Sequence, residues 1–501
     1  MAQNDGVPEG FTENFATALA GYGDSPCIEY DGRWYTGHEV AAYGADLAAA
    51  LRGADVDADA PAGLVVRNRL HHAAAIVGLL AAGRTLVMIY SFQSPEAIAR
   101  DIERLNLPAV IADPEDWTAP VVAAATRTGC AGISLSLAEP AVASVRGLER
   151  RDRTRSHAPA EPGVALKILT SGTTGPPKRQ AIPIHVLERT VFSVTAGERA
   201  ADDAPPEFAY WQFGGIGVCQ LIAGIYNGRR VAMLERFTVD GWVDAVKRHR
   251  VTRAGVQPAV IRMLLDADVA AADLASLEFL ISASGPLDPE TRDEFEQRYG
   301  IPIRLAYGAT EFAGSLCAWT PEMLRDFGQA KRDSVGRALP DTELRVVDPE
   351  TGGEVPAGQR GVLEAKVAPI GPEWIRTTDI ASIDDDGFVM LHGRADGAIN
   401  RGGFKVLPET VRRVLMGHPS VRDACVVGVR DERLGQVPFA AIETRPGAPT
   451  PSEDELKDLV RQQLPVYNVP VAVTAVDALP RNPALKVSLP AVAALYAGGQ
   501  A

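Results

Sequence analysis

The strongest constraint on the fold is an alternation of short apolar runs with helical segments along the first two thirds of the chain. The apolar run 62–66 precedes an Ala- and Leu-rich helical segment over 72–82, and the run 85–90 precedes a charged helical segment over 95–105. Strands that alternate with helices indicate parallel sheets covered on both faces. The alternation continues to about residue 338 and predicts an α/β fold.

The pattern changes from Thr342 onward. Residues 343–347 and 361–365 alternate like antiparallel strands, with Gly352-Gly353 as a turn between them. After Arg394 comes a compact tail with strand-like segments at 424–429 and 439–443 and helical segments at 408–416 and 453–464. We therefore divide the chain into a large domain, 1–395, and a small α+β domain, 396–501.

Composition excludes several classes of protein. The 501 residues carry a formal net charge of −14, with 46% hydrophobic and 23% charged residues, as is typical of a globular chain with a large core. An acidic protein repels phosphate backbones at long range, so we do not expect nucleic acid as a partner. The N-terminus lacks a signal-peptide pattern, and the most apolar stretch, 73–83, is far shorter than a membrane span. We expect a cytoplasmic protein without a membrane span.

Cysteine and histidine spacing gives no metal-site pattern. The five cysteines are scattered, with no CxxC, which predicts reduced thiols and neither disulfides nor a zinc site. His71-His72 is the nearest approach to a ligand pair. Because adjacent residues on a helix or strand point in different directions, we expect these two histidines to be ordinary.

One loop carries the pattern of a phosphate site. It follows the apolar strand 164–169 and consists of Thr170, Ser171, Gly172, Thr173, Thr174, Gly175, Pro176, Pro177 and Lys178. The glycines permit tight turns, the prolines prevent a helix, and hydroxyls, backbone N–H groups and the lysine can all face a polyphosphate. It is not a Walker A loop, because no Gly-Lys-Ser/Thr follows four spacer residues. The alternative, a flexible Gly- and Thr-rich surface turn, does not explain the preceding strand or the lysine.

This loop resembles the phosphate loop of the acyl-adenylate-forming (ANL) superfamily, which includes acyl-CoA synthetases, luciferases and peptide-synthetase adenylation domains. Similar counterparts of the family's other motifs follow in order: Ala306-Tyr307-Gly308-Ala309-Thr310-Glu311, Thr377-Thr378-Asp379, Gly393 to Val406, and Pro480 to Val487. The resemblance spans about Tyr35 to Lys486. It implies a large N-terminal domain of parallel-rich sheets layered with helices, with a β-barrel-like subdomain, and a small mobile C-terminal domain that rotates about a hinge at Asp396.

The resemblance also implies roles for individual residues. In the family's terms, Lys486, Thr310 and Glu311 would be catalytic: Lys486 bridges the acid and the α-phosphate, Thr310 touches phosphate, and Glu311 holds Mg²⁺. Further implied nucleotide contacts are Ser284, Gly285, Pro286, Ala306, Tyr307 and Gly308 around adenine, and Asp379 and Arg394 at the ribose. Gly402 and Gly403 would line a passage for a pantetheine thiol. Without this resemblance, we would expect Tyr307 to be a core residue and Glu311 to be a cap or a surface group. We would likewise expect Asp379 and Arg394 to be surface charges.

Departures from the family concern the acid and its acceptor. Gln212 stands where relatives often have His, and Asn400 stands where many have a lysine that serves the second half-reaction. Thr378, Leu485 and Arg179 each replace a glycine. The candidate acid pocket comprises Trp211, Gln212, Phe213, Gly214, Gly215, Gly308 and Ala309. It predicts a partly apolar site with one neutral hydrogen-bonding group and no aspartate for an α-amino group; the alternative is that Trp211, Gln212 and Phe213 are core residues of a strand.

Three functions remain open on this basis. The first is ATP- and Mg²⁺-dependent activation of a small organic acid to an acyl-adenylate, with pyrophosphate release and transfer to the thiol of CoA or of a carrier pantetheine. The second is adenylation of an unusual acid, even a non-carboxylic one such as nitrite, with transfer to an amine or other non-CoA acceptor; Asn400 keeps it open. The third is an inactive nucleotide-binding paralogue, against which the retained charged residues argue. Any carrier protein is expected to be a separate chain, and the oligomeric state is not predicted.

Overall fold

The computed structural model describes residues 10–169, 179–195, 204–309, 312, 314–395, 397–401, 404–431, 433–482 and 485–498. Its α-helices are α1 (Phe11–Tyr22), α2 (Gly37–Gly53), α3 (Leu70–Ala81), α4 (Pro95–Leu105), α5 (Ala119–Thr128), α6 (Ile184–Thr195), α7 (Val218–Tyr226), α8 (Val239–His249), α9 (Pro258–Asp266), α10 (Pro289–Tyr299), α11 (Pro321–Phe327), α12 (Pro408–Met416), α13 (Glu453–Gln463) and α14 (Leu489–Gly498).

The strands of the N-terminal part are β1 (Pro26–Tyr30), β2 (Arg33–Thr36), β3 (Ala62–Val66), β4 (Leu86–Tyr90), β5 (Ala109–Ala112), β6 (Ala131–Leu135), β7 (Val142–Ser144), β8 (Val164–Leu169), β9 (Arg179–Pro183), β10 (Glu207–Ala209), β11 (Val231–Met233), β12 (Arg253–Val256), β13 (Phe279–Ser282) and β14 (Ile303–Leu305). Those that follow are β15 (Tyr307–Ala309), β16 (Gly314–Ala318), β17 (Arg337–Ala338), β18 (Thr342–Val347), β19 (Gly361–Val367), β20 (Ile375–Ile383), β21 (Val389–Arg394), β22 (Ile399–Arg401), β23 (Phe404–Val406), β24 (Val421–Asp431), β25 (Gly435–Thr444) and β26 (Val473–Val476).

The central layer is a seven-stranded sheet of order β7-β6-β5-β3-β4-β8-β9, parallel except at its two edges. Successive residues of a strand face opposite sides of a sheet. Leu64 and Met88 therefore pack with α1, α2 and α3, whereas Val65 and Ile89 pack with α4 and α5. Strands buried on both faces explain why these segments read as continuous apolar runs, and the predicted α/β architecture is confirmed.

Helix starts in this layer follow from local sequence. Thr36 and Glu39 form a capping box at α2: the Glu39 N–H donates to Thr36 Oγ1 at 3.2 Å, and the Thr36 N–H donates to the Glu39 carboxylate at 2.7 Å. At α4, Ser94 accepts from the Ala97 N–H at 3.3 Å, and Pro95 occupies the first helical turn. These signals explain where both helices begin.

Two further sheets continue the layered part. One has the order β10-β11-β1-β2, and the other, β12-β13-β14, is fully parallel. One face of the parallel sheet is covered by α8, α9 and α10 through buried side chains that include Trp242, Val260 and Phe295, which we call the α8–α10 cluster. The carboxyl ends of β12–β14 point toward the segments that the sequence assigns to the nucleotide.

Antiparallel structure begins where the sequence changes. The sheets β15-β16-β17 and β18-β19-β20-β21 are antiparallel and share a core that includes Leu316, Val346, Leu363 and Val389. The predicted turn lies between β18 and β19, with Gly352 in the left-handed region at φ 71°. A β-rich subdomain beside the layered part is thereby confirmed.

The small C-terminal part is built on the long antiparallel pair β24 and β25. Helices α12 and α13 cover one face, through residues such as Val411 and Leu456, and α14 covers the other through Val492. Strand β22 joins this sheet directly after the predicted boundary. Asp396 itself lies outside the described residues, so the boundary and the hinge stay predictions.

Arginines dominate the polar contacts of the small part with α9 and α10. Arg422 forms an ion pair with Asp266, and its backbone carbonyl accepts from Arg262. Arg445 pairs with Glu290 at 2.8 Å. Burial lowers the pKa of Arg262, and the nearby Asp423 carboxylate opposes that effect. These contacts set the small part against α9 and α10.

The five cysteines are free thiols, as the sequence predicts, and all five are buried. None of the helices within the described ranges combines the length and the apolar character that crossing a membrane requires.

Candidate active site

Several predicted site residues fall outside the described residues, and their roles stay predictions. They are Thr170, Ser171, Gly172, Thr173, Thr174, Gly175, Lys178, Thr310, Glu311, Asp396, Gly402 and Gly403. The ends of the phosphate loop are nevertheless fixed, because Leu169 and Arg179 face each other across the antiparallel pair of β8 and β9. Arg179, which replaces a family glycine, is anchored by an ion pair with Asp101 at 2.5 Å and by donation to the Met88 carbonyl at 3.1 Å.

The predicted acid-pocket segment lies beside the start of the phosphate loop. Residues 211–217 form a turn between β10 and α7, and the Leu169 N–H donates to the Gly214 carbonyl at 2.8 Å. Asn68, which is 1% exposed, holds this turn from the segment between β3 and α3. Its amide donates to the Trp211 carbonyl at 2.8 Å and accepts from the Phe213 N–H at 3.0 Å. Asn68 was not predicted from the sequence; its signal is its place in the polar triplet between an apolar strand and a helix.

Three side chains of this turn have different environments. Trp211 is half-buried, packs against the α8–α10 cluster, and donates from Nε1 to the Gly255 carbonyl at 3.0 Å. Phe213 is fully buried among the side chains of the central sheet. Gln212 is half-buried, and its backbone carbonyl accepts from the Gly215 N–H at 3.1 Å. The alternative that all three are core residues of a strand is wrong, since none lies in a strand, although Phe213 does belong to the core.

The predicted adenine and ribose residues are in direct contact. The Tyr307 hydroxyl donates to Asp379 Oδ2 at 2.6 Å, and the Asp379 N–H donates to Thr377 Oγ1 at 3.0 Å. Arg394 faces Asp379 across β20 and β21. Burial, and then the Asp379 charge, raise the pKa of Tyr307. The ring also belongs to the core of the β-rich subdomain at 7% exposure. Core packing of Tyr307 is therefore confirmed, and its contact with adenine stays a prediction.

The loop after β13 carries Ser284, Gly285 and Pro286, which are predicted to face the other side of the adenine ring. Ser284 adopts φ 73°, and the Ala306 N–H donates to the Ser282 carbonyl at 3.0 Å, which brings the Ala306-Tyr307 segment next to this loop. Gly308 permits a close approach of β16, because a Cβ at this position would lie 2.3 Å from the Gly314 carbonyl oxygen. The neighbouring Ala309 ends β15.

Lys486 is held in a short hairpin. Its N–H donates to Asn482 Oδ1 at 3.0 Å, and its carbonyl accepts from the Asn482 N–H at 2.8 Å. Burial, and then the Arg394 cation, lower the pKa of Lys486. The preceding Leu485 has φ 60° and packs against the α8–α10 cluster, as Trp211 does. The structure thus brings Lys486 close to Arg394 and places its hairpin on the same cluster against which Trp211, in the predicted acid-pocket turn, packs.

A second cluster of titratable groups contradicts an expectation from sequence. His71 and His72, at the start of α3, both direct Nε2 to Asp113 Oδ1, at 2.7 and 2.6 Å. The expectation that adjacent histidines point apart is wrong here, because both rings turn toward one buried carboxylate. Arg67 and Arg69 bind the other oxygen of Asp113. His71, His72 and Asp113 lie close enough together to ligate a metal ion. The two neighbouring arginine cations would repel such an ion, so the cluster is a poor metal site.

Comparison with known proteins agrees with this geometry. The profile of the AMP-binding enzyme family matches residues 15–367, and that of the AMP-binding enzyme C-terminal domain matches residues 411–486. The 4-coumarate–CoA ligase 3 of Oryza sativa subsp. japonica is 26% identical over 94% of this chain and 89% of its own length.

Two solved structures show the same fold. ATP-bound MatB from Rhodopseudomonas palustris has a TM-score of 0.81 at 22% identity, covering 97% of this chain and 99% of that chain. The amide bond synthetase McbA from Marinactinospora thermotolerans has a TM-score of 0.79 at 24% identity, again covering 97% and 99%. The family profiles, which together match most of the chain, show that it belongs to the AMP-binding enzyme family and is an ATP-dependent, AMP-forming ligase of the adenylate-forming, acid–thiol class.

Proposed function

We propose that the chain activates a small aryl or aliphatic carboxylic acid with ATP and transfers the acyl group to the thiol of CoA. The observation that carries the proposal is the position of Lys486, half-buried near Arg394 on a hairpin that packs against the same cluster as Trp211. Asp379 lies on β20, opposite Arg394 of β21, and accepts a hydrogen bond from the Tyr307 hydroxyl. A cation so placed can act on an acid and a nucleotide at once.

The first half-reaction joins two anions. An oxygen of the acid's carboxylate attacks the α-phosphorus, a C–O–P linkage forms, and the bond to the leaving pyrophosphate breaks. Lys486 and Arg394 offset the charge that accumulates between the reactants. Their mutual repulsion, together with burial, lowers the pKa of Lys486, and an incoming anion relieves that repulsion. Mg²⁺ would add charge compensation at the phosphates when bound, with Glu311 as its predicted oxygen ligand.

Tyr307 and Asp379 orient the nucleotide. Asp379 accepts the Tyr307 hydroxyl on Oδ2, and the remaining acceptor capacity of a carboxylate suits the two ribose hydroxyls. Ser284, Gly285 and Pro286 offer the opposite surface, and a Cβ on Gly285 would meet nothing nearer than Pro258 Cγ at 3.9 Å. This open backbone leaves room for a flat ring between the loop and Tyr307.

Transfer to an amine is the second candidate. Asn400 lies in β22 opposite Lys405, is exposed, and donates its backbone N–H to the Gln436 side chain at 3.3 Å. No cation therefore stands at position 400 to serve a thiol transfer as in many relatives. One structural neighbour carries the name amide bond synthetase, which supports an amine acceptor.

Pyrophosphate release separates these functions. Purified protein is given ATP, Mg²⁺ and a panel of aryl and aliphatic acids, with no acceptor, with CoA, or with a primary amine. We expect acid-dependent release, and an acyl-CoA product when CoA is present. An amide without thioester would favour the amine function, and no release with any acid would favour an inactive nucleotide-binding protein.

A further inference from the structure

A buried carboxylate stands at the base of the hairpin that carries Lys486. Asp423, near the start of β24, is buried. Its Oδ1 accepts from Arg412 at 2.9 Å and from the Ala424 N–H at 2.9 Å, and its Oδ2 accepts from Arg481 at 2.8 Å. Burial alone would raise the pKa of Asp423, but the neighbouring arginines, Arg412 first, hold it below its usual range. Asp423 is therefore an ionised and fixed point in the small C-terminal part.

Arg481 connects this fixed point to the peptide group that precedes Lys486. One guanidinium nitrogen, Nη2, binds Asp423, and the other, Nη1, donates to the Leu485 carbonyl at 3.2 Å. The N–H of the same peptide group belongs to Lys486 and donates to Asn482 Oδ1 at 3.0 Å. Both polar atoms of this peptide group are thus bound by side chains from the other arm of the hairpin, which sets the orientation of its plane.

This orientation is one that the backbone does not favour by itself. Leu485 lies at φ 60°, in the left-handed region, where the Cβ of an L-residue crowds the following carbonyl oxygen. A residue with a side chain stays in that region only where its surroundings hold it there. Without Arg481, we expect the hairpin to relax toward a negative φ at Leu485, and the direction of the Lys486 side chain would change with it.

We propose that Arg481 is a positioning residue for Lys486, because it links the fixed carboxylate of Asp423 to the peptide group that directs the lysine side chain. The inference rests on the proposed function, since it requires that Lys486 offsets charge between the acid and the α-phosphate. A cation displaced by about 1 Å from the reacting anions loses much of its effect on the transition state. The rate of the first half-reaction should therefore respond to Arg481 more than the affinity for either substrate.

The test combines kinetics with hydrogen exchange on Arg481→Met, which keeps an unbranched side chain and removes both donors. ATP–pyrophosphate exchange is measured with benzoic acid, hexanoic acid and the other acids of the panel. We expect kcat to fall about tenfold, with the KM values for ATP and for the acid changed by less than about twofold. Amide hydrogen exchange in a peptide that covers residues 480–488 should become severalfold faster, because the hairpin opens more often.

Arg401→Met is the matched control. Arg401 lies in the same small part and donates to the Tyr467 and Val469 carbonyls at 2.9 and 3.0 Å, so this change removes similar contacts from a different turn. The reaction followed uses no acceptor, so the predicted thiol passage beside Arg401 plays no part in it. This variant should keep the wild-type kcat and the wild-type hydrogen exchange of residues 480–488.

Arg481→Lys is a second variant, for use if loss of the ion pair to Asp423 prevents folding. It keeps a cation near the carboxylate, but one ammonium group does not reproduce the two-pronged donor of arginine. We therefore expect kcat to fall severalfold in this variant too, and a wild-type kcat would overturn the role of the two-point contact. Thermal unfolding verifies that each protein is folded.

The outcomes are distinguishable. A wild-type kcat in Arg481→Met overturns the positioning role and leaves the proposed function intact. An equal fall of kcat in Arg401→Met overturns it as well, because the loss would then come from general destabilisation of the small part. A lower kcat without faster hydrogen exchange of residues 480–488 also overturns it, since Arg481 would then act without holding the hairpin. No exchange of pyrophosphate with any acid in wild type overturns the proposed function, and this inference with it.

Discussion

Replacing Leu485 separates two effects that this residue combines. Its backbone lies at φ 60°, where an L-residue carries roughly 1–2 kcal/mol of strain. Its side chain is half-buried against the α8–α10 cluster, which contributes about 1 kcal/mol, or half the value for a fully buried leucine. The strain lies in the backbone of the hairpin, whereas the packing of the side chain forms the contact that positions Lys486.

Leu485→Ala removes the packing and keeps the strain, so it should lower the free energy of unfolding by about 1 kcal/mol. Leu485→Gly removes both, and it adds about 0.5–1 kcal/mol of chain entropy in the unfolded state. The three contributions nearly cancel, so Leu485→Gly should unfold within about 1 kcal/mol of wild type. Both variants should slow acid-dependent ATP–pyrophosphate exchange about fivefold, which is the kinetic equivalent of about 1 kcal/mol.

The two assays are urea unfolding and isotope exchange, run on the same preparations. Exchange at the wild-type rate in both variants would show that the leucine side chain does not place Lys486. A Leu485→Gly protein that is clearly less stable than Leu485→Ala would refute the strain assigned to φ 60°.

Three further outcomes follow from the described contacts. Lys486→Ala should abolish acid-dependent ATP–pyrophosphate exchange while the thermal unfolding midpoint stays close to wild type; exchange at the wild-type rate would refute the role of this lysine. Tyr307→Phe removes the 2.6 Å hydrogen bond to Asp379 and should raise the KM for ATP severalfold. An unchanged KM would show that Asp379, as Tyr307 orients it, does not bind the nucleotide. Burial opposes ionisation of Asp113, but the hydrogen bonds from the adjacent histidines lower its pKa, and burial lowers the pKa of His72. The unfolded chain therefore binds protons that the folded chain does not: at His72 below pH about 6.5 and at Asp113 below pH about 4. The free energy of unfolding should accordingly fall as the pH is lowered through these ranges, and Asp113→Asn should flatten the lower part of that dependence.

Sequence patterns predicted the layered fold well because they rest on short-range rules. Strand β3 and helices α4 and α12 occupy the residues that the apolar run and the helical segments indicated. Periodicity and caps act within a few residues, so one sequence displays them fully.

The environment of the predicted acid pocket was harder to predict from the sequence, because it depends on residues far apart in the chain. Asn68 binds the turn at Trp211 across 143 positions. Its local signal, a place in the polar triplet between β3 and α3, does not identify that distant partner. The two histidines at α3 show the same limit: helix geometry predicts divergent directions, but side-chain rotation brought both rings to Asp113.

The contacts of the small C-terminal part with α9 and α10 have a consequence for ionic strength. They consist largely of partly exposed arginine pairs, such as Arg445 with Glu290, and such pairs typically contribute less than about 1 kcal/mol each and weaken as salt screens them. Their directional geometry nonetheless fixes one registry between the surfaces. An interface of this kind specifies the orientation of the small part but contributes little binding free energy. Added salt should therefore weaken the placement of Lys486 well before it affects the hydrophobic cores.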